Sequence, residues 1–217
     1  DIAVPLFSQK TVVVCNQKGG VGKSTVTKEL AIALTCLSIQ KGEQLYRPKV
    51  CLCDLDLDSS DMASLLNLPA EPNIKHWAED IEKQVAREKK KAEMIRFTEW
   101  DIKQNYLQKH DSGLYILTAP ENKTDGLQIS REVIIAVLEN LRLCDFDIVI
   151  VDTGSNIFDY TIAAILNATD ILALSTCDVV SAKRIDGVLE DILLGIDGFD
   201  KSKMKLVINK YDAAFNI

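Results

Sequence analysis

Six short apolar runs, at residues 11–15, 50–55, 114–117, 147–151, 171–174 and 205–208, alternate along the chain with stretches of helical period. Most of the runs are continuous, the pattern of strands covered on both faces. The segments between them, 23–39, 59–67, 130–143, 158–167 and 181–194, space their apolar residues as helices do, and Ser130 followed by Glu132 and Val133 marks a helix start. Strand and helix in strict turn predict a parallel sheet with right-handed crossovers, hence a doubly wound α/β fold. The 217 residues, 47% of them hydrophobic, supply the core that such a fold needs. They are read as one domain, 1–217. No run approaches the roughly 18 uncharged apolar residues of a membrane span. The chain opens on Asp1, shows no signal peptide and stops at Ile217 just past an apolar run, so both ends are read as cuts in something longer.

Charge and cysteine narrow the class of partner. A net charge of −7 argues against a broad nucleic-acid surface, which is normally basic. Cys15, Cys51, Cys53 and Cys177 fall in or beside strand-like runs, and Cys36 and Cys144 fall in helical ones. They read as small buried hydrophobes of a reducing compartment, placing the chain in the cytoplasm. Cys51 and Cys53 have no second pair to complete a zinc site. One stretch breaks the rhythm: residues 75–111 hold 17 charged side chains, nine basic and eight acidic. Ile74, Trp77, Ile81 and Val85 keep helical spacing, with a second apolar set at Met94, Ile95, Phe97 and Trp100. This is read as one or two surface helices with a solvated face. The alternative is a partner-binding arm carrying the basic patch of Arg87 and Lys89 to Lys91.

The chemistry sits in Asn16-Gln17-Lys18-Gly19-Gly20-Val21-Gly22-Lys23-Ser24-Thr25. It follows the first apolar run and opens the first helical stretch, the context a phosphate-binding loop requires. Glycines let the backbone turn its N–H groups inward on phosphate oxygens, and the helix N-terminus adds a favourable partial charge. Lys23 would reach the β- and γ-phosphates, and Ser24 would place its hydroxyl on Mg²⁺. The strict pattern has glycine where this chain has Gln17, and a second lysine, Lys18, heads the loop.

The string Lys-Gly-Gly-x-Gly-Lys-Ser-Thr resembles the deviant phosphate loop of the ParA/MinD superfamily of ATPases. That resemblance implies a P-loop NTPase fold, ATP and Mg²⁺ as ligands, and two protomers face to face around the nucleotide. Lys18 would then act in trans on the partner's γ-phosphate, and Gly19 to Thr25 would cradle the phosphates of their own. Asp54-Leu55-Asp56-Leu57-Asp58 resembles the switch I region, with Asp56 in the place of the acid that orients the attacking water. Phe146 to Gly154 resembles a Walker B strand entering switch II, which implies that Asp152 holds Mg²⁺ through a water and that Gly154 lets the switch backbone move. Leu206-Val207-Ile208-Asn209-Lys210 resembles the strand whose terminal Asn reads adenine, since Asn both donates and accepts.

The text between these motifs points to a branch. Asp54 to Leu68, His110 to Pro120, Asp159-Tyr-Thr and the run from Ala168 are similar to the CpaE/TadZ group, which implies a factor localising Tad/Flp-type pili, recruited to a cell pole or the inner membrane face. Members often carry a receiver-like domain before the ATPase, which a cut at Asp1 would fit. Three alternatives stay open: a ParA-type DNA-partitioning ATPase, a MinD or flagellar-number positioning ATPase, and a nucleotide-binding scaffold without significant hydrolysis. The first would need a basic face, for which Lys183-Arg184 and the 87–91 cluster are the candidates.

Overall fold

The computed structural model describes residues 8–41, 44–187 and 199–212. Nine strands and eight α-helices follow one another among them: β1 (Lys10–Cys15), α1 (Lys23–Cys36), β2 (Ile39–Lys41), β3 (Gln44–Tyr46), β4 (Val50–Leu55), α2 (Met62–Leu65), α3 (Ile74–Glu88), α4 (Glu99–Asn105), β5 (Gln108–Lys109), β6 (Tyr115–Leu117), α5 (Lys123–Leu127), α6 (Arg131–Leu143), β7 (Ile148–Thr153), α7 (Asp159–Asn167), β8 (Asp170–Thr176), α8 (Val179–Gly187) and β9 (Met204–Asn209). Seven strands form one sheet in the order β5-β6-β4-β7-β1-β8-β9, parallel throughout except for the two-residue edge strand β5. No helix among the described residues is long and apolar enough to cross a membrane.

The inner strands of the sheet are covered on both faces, which is why they read as unbroken apolar runs, whereas the edge strand β9 leaves Leu206 and Ile208 exposed. On one side Val14, Leu52, Ile150 and Leu174 meet Val26, Leu30, Met62 and Leu66 from α1 and the α2 region. On the other, Val13, Cys51, Cys53, Val149 and Val151 pack with residues of α3, α6 and α7. Strand register gathers the acids. β1, β4 and β7 run parallel and aligned, so Val14, Asp54 and Asp152 stand side by side at the carboxyl ends of three neighbouring strands. In open α/β sheets that is the edge where ligands bind.

Several boundaries depart from the sequence expectations. The first helix stops at Cys36 rather than 39, because Leu37 turns extended and Ile39 enters the β2–β3 ribbon, where it pairs with Tyr46. The helix expected at 59–67 shrinks to Met62–Leu65, since Ser59 and Ser60 turn their hydroxyls to Asp56 and Asp54 instead of continuing a helix. The last expected helix begins at Val179, and its residues 188–194 lie outside the described ones. Ser130 caps α6 as expected, its hydroxyl accepting the Val133 N–H. Four of the six cysteines are buried; Cys36 is exposed and Cys177 half-buried.

The charged segment holds the helices α3 and α4 and the edge strand β5, and the apolar stripe of α3 belongs to the main core. Asn73 caps α3, accepting the Lys75 N–H at 3.0 Å while His76 accepts the Asn73 N–H. Trp77 is fully buried, stacked on Tyr106 at 5.0 Å between ring centres and edge-on to Phe97. Of the second apolar set only Ile95 is buried and Phe97 partly so; Met94 and Trp100 are exposed.

Candidate functional site

The loop between β1 and α1 closes around its own backbone. Gly20 and Gly22 take left-handed φ values of 76° and 93°, which other residues adopt only with strain. Gly22 stands at the N-cap of α1, where no side chain caps the helix and its first turn holds no acid. The uncapped N–H groups therefore face the loop mouth, as an anion-binding helix end requires. Asn16, almost fully buried, anchors the base: its Oδ1 accepts the Lys18 N–H at 2.6 Å, and its amide donates to the Leu174 carbonyl.

Lys23 is 7% exposed, and its ammonium donates to the Ser155 hydroxyl at 3.0 Å and to the Lys18 carbonyl at 3.4 Å. Burial lowers its pKa, while Asp152 and Asp56 pull the other way. A buried lysine held by one hydroxyl and one carbonyl is ready to exchange them for an anion. Asp152 is 1% exposed at the end of β7. Its Oδ1 accepts the Thr27 hydroxyl at 3.0 Å, and its Oδ2 has no hydrogen-bond partner among the described residues. Burial pushes its pKa up to about 6, opposed by the nearby hydroxyls of Ser24 and Thr27 and by Lys23. An orphaned carboxylate oxygen beside Ser24 is what a site for a hard divalent cation supplies.

Asp54 is wholly buried. It accepts the backbone N–H groups of Asp56 at 3.1 Å and Ala119 at 3.2 Å, and the Ser60 hydroxyl, fastening the loop after β4 to the turn after β6. Burial, with Asp152 beside it, raises its pKa to about 7. Asp56 is half-buried and accepts the Ser59 N–H at 3.2 Å, and Gly154 backs onto its carboxylate. Asp58 is bridged by Lys123 and by the Asn156 amide at 2.7 Å, tying the loop after β4 to the loop after β7.

The structure thus brings Lys18, Gly19 to Thr25, Asp56 and Asp152 to one end of the sheet. Asn209 is there too, but its amide donates to the Val21 carbonyl at 2.9 Å, and Lys210 beside it donates to Gly20 at 2.8 Å. The strand end that sequence assigned to a base thus holds the loop between β1 and α1 in this structure. Gly154 has no left-handed φ; its lack of a side chain serves the close approach of Asp56. Sequence reasoning missed Thr27, Ser155 and Asp178. Thr27 lies one helical turn beyond Lys23, and Ser155 follows Gly154, so their placement was implicit in the motif spacing. Asp178 carries no such signal.

Comparison with known proteins agrees with this architecture. The AAA_31 family, described as an AAA domain, matches residues 9–206. The septum site-determining protein MinD of Thermotoga maritima is 29% identical over 203 residues, covering 92% of this chain, and the chain spans 64% of that relative's length. Among solved structures, a ParA family ATPase from Chlorobium tepidum superposes with a TM-score of 0.72 at 15% identity, covering 93% of this chain and 73% of the other. MinD from Pyrococcus horikoshii, complexed with Mg-ADP, gives 0.63 at 16% identity, covering 91% and 68%. The chain belongs to the AAA_31 family.

Proposed function

We propose that this AAA_31 domain binds and hydrolyses ATP with Mg²⁺, and that the bound nucleotide switches it between a free chain and a homodimer. The observation that carries the reading is the convergence of buried Lys23, the unpartnered Asp152 oxygen and an uncapped helix N-terminus at one loop mouth. The N–H groups of Gly19 to Thr25 would donate to phosphate oxygens, and Lys23 would trade Ser155 for the β- and γ-phosphates. Ser24 and Asp152 would hold the metal, Asp152 through a water. When bound, Mg²⁺ offsets the charge that develops between the β- and γ-phosphates. Asp56, at the mouth and fixed by Ser59, would orient the attacking water; such a carboxylate works by position rather than by strong basicity. Lys18 would serve the nucleotide of a second copy, and Asn209 would stand near the base while steadying the loop. The MinD–Mg-ADP complex supports the choice of ligand.

What the switch controls is a finer reading. The segments 54–68 and 110–120 favour the positioning or assembly of a surface machine of the Tad/Flp pilus type. The likeness to Thermotoga MinD favours, as second reading, positioning of a division site. DNA partitioning is less favoured by a net charge of −7. The test of the shared core is calorimetry of Mg-ATP binding to the wild type and Lys23→Ala: markedly weaker binding by the second is expected, and equal binding by both would overturn the site.

A further inference from the structure

The ammonium of Lys18 is already spoken for within its own chain. It donates to both carboxylate oxygens of Asp178, at 2.9 and 2.8 Å. Asp178 does not depend on the lysine for its place. Its Oδ1 also accepts the Ser181 N–H at 2.9 Å, capping the start of α8, and its Oδ2 accepts the Thr176 hydroxyl. The acid is therefore the fixed member of the pair and the lysine, on a flexible four-carbon stem, the mobile one. The backbone repeats the arrangement: the Lys18 N–H is held by Asn16, whose amide reaches Leu174 of β8 and lies 3.4 Å from the Ser181 hydroxyl. Both ends of Lys18 are thus tied to the end of β8. The pair sits at the rim, with about a third of each side chain exposed, and the neighbouring Val179 and Val180 are exposed as well.

We propose that Asp178 is the positioning residue of Lys18: it keeps the ammonium on its own subunit, and the lysine engages nucleotide phosphates only by giving up this carboxylate. The proposal rests on the reading above, that Lys18 serves the nucleotide of a second copy. An ammonium has three protons, and two are committed to Asp178. Crossing to a partner strips the pair, so the ion pair competes with dimerisation and sets how much phosphate charge is needed to release the lysine. A rim pair is a modest competitor, which suits a switch that must be reversible.

The test is a mutant cycle of Asp178→Asn, Lys18→Ala and the double variant beside wild type, since Asn keeps an oxygen for the helix cap while removing the charge. Dimer dissociation constants are measured by analytical ultracentrifugation with Mg²⁺ and a non-hydrolysable ATP analogue. In parallel, Lys18 modification by an amine-reactive reagent is followed by peptide mass spectrometry in the nucleotide-free chain. Asp178→Asn is expected to tighten the dimer by roughly fivefold, the scale of an exposed ion pair, with the gain lost in the Lys18→Ala background. It should also speed Lys18 modification several-fold. A dimer unchanged or weakened by Asp178→Asn, or a gain that persists without Lys18, would overturn the proposal. If none of the four proteins dimerises, the trans reading of Lys18 fails, and the modification ratio alone decides the cis hold: equal rates in wild type and Asp178→Asn refute it.

Discussion

Gly154 presses its bare Cα against the carboxylate of Asp56: a Cβ on Gly154 would lie 2.6 Å from Asp56 Oδ1. The end of β7 and the loop after β4 therefore meet without room for a methyl group, at the acid proposed to orient water. Adding that methyl should displace Asp56 while leaving the phosphate loop in place. Gly154→Ala is expected to lower kcat at least tenfold with little change in ATP affinity, at about 1–3 kcal/mol of overpacking strain. Steady-state kinetics beside a denaturation curve checks it, and unchanged kcat would detach Asp56 from the reaction.

Asp56→Ala removes outright the carboxylate proposed to orient water. Turnover should fall by roughly a hundredfold or more, the usual worth of a positioned acid–base group, while ATP-dependent dimerisation persists. Single-turnover hydrolysis read beside dimer mass checks both halves. Normal hydrolysis would move the role to another residue.

Lys23→Ala leaves the charges of Asp152 and Asp56 without their buried cation. ATP affinity should drop by roughly ten- to a hundredfold, the worth of charge-assisted bonds to phosphate, and added Mg²⁺ should not restore it. Calorimetric titration with and without the metal is the measurement.

The paired acids predict a pH response. Asp54 titrates at about 7 and Asp152 at about 6, both raised chiefly by burial, against 3.8 for a free aspartate. Between roughly pH 4 and 7 the folded chain holds protons that the unfolded chain has released, so these groups make stability fall as pH rises. On the proposed reading the metal is held by ionised Asp152, so its affinity should climb through the same window. Melting temperatures between pH 5 and 8 should show a decline that Asp54→Asn flattens, with a larger Mg-ATP stabilisation at the upper end. Parallel curves for wild type and variant would contradict this.

Trp77 tests whether the charged segment is part of the core. Buried and stacked on Tyr106, it should cost about 3–5 kcal/mol when replaced by alanine, as large aromatic truncations do. A loss near zero in a urea unfolding curve would make the segment a dispensable arm.

Period and motif decided how much was legible in the sequence. The buried strands announced themselves as unbroken apolar runs, and the spacing from Gly19 to Ser24 gave the loop its place on the first strand and helix. The β2–β3 ribbon, β5 and α5 were missed because two to five residues are too few to show a period. Asp178 was missed for a different reason: its partner Lys18 lies 160 residues away, and only the adjacency of β1 and β8 joins them. Asn209 lies at the same end of the sheet as the loop, yet its contact with Val21 depends on the final turn of backbone that no spacing encodes.

The central claim is that nucleotide governs assembly, and light scattering in Mg²⁺ with ADP or ATP tests it most directly. The account predicts the mass of one chain, 24.1 kDa, with ADP and of two with ATP. The same mass in both nucleotides would contradict it.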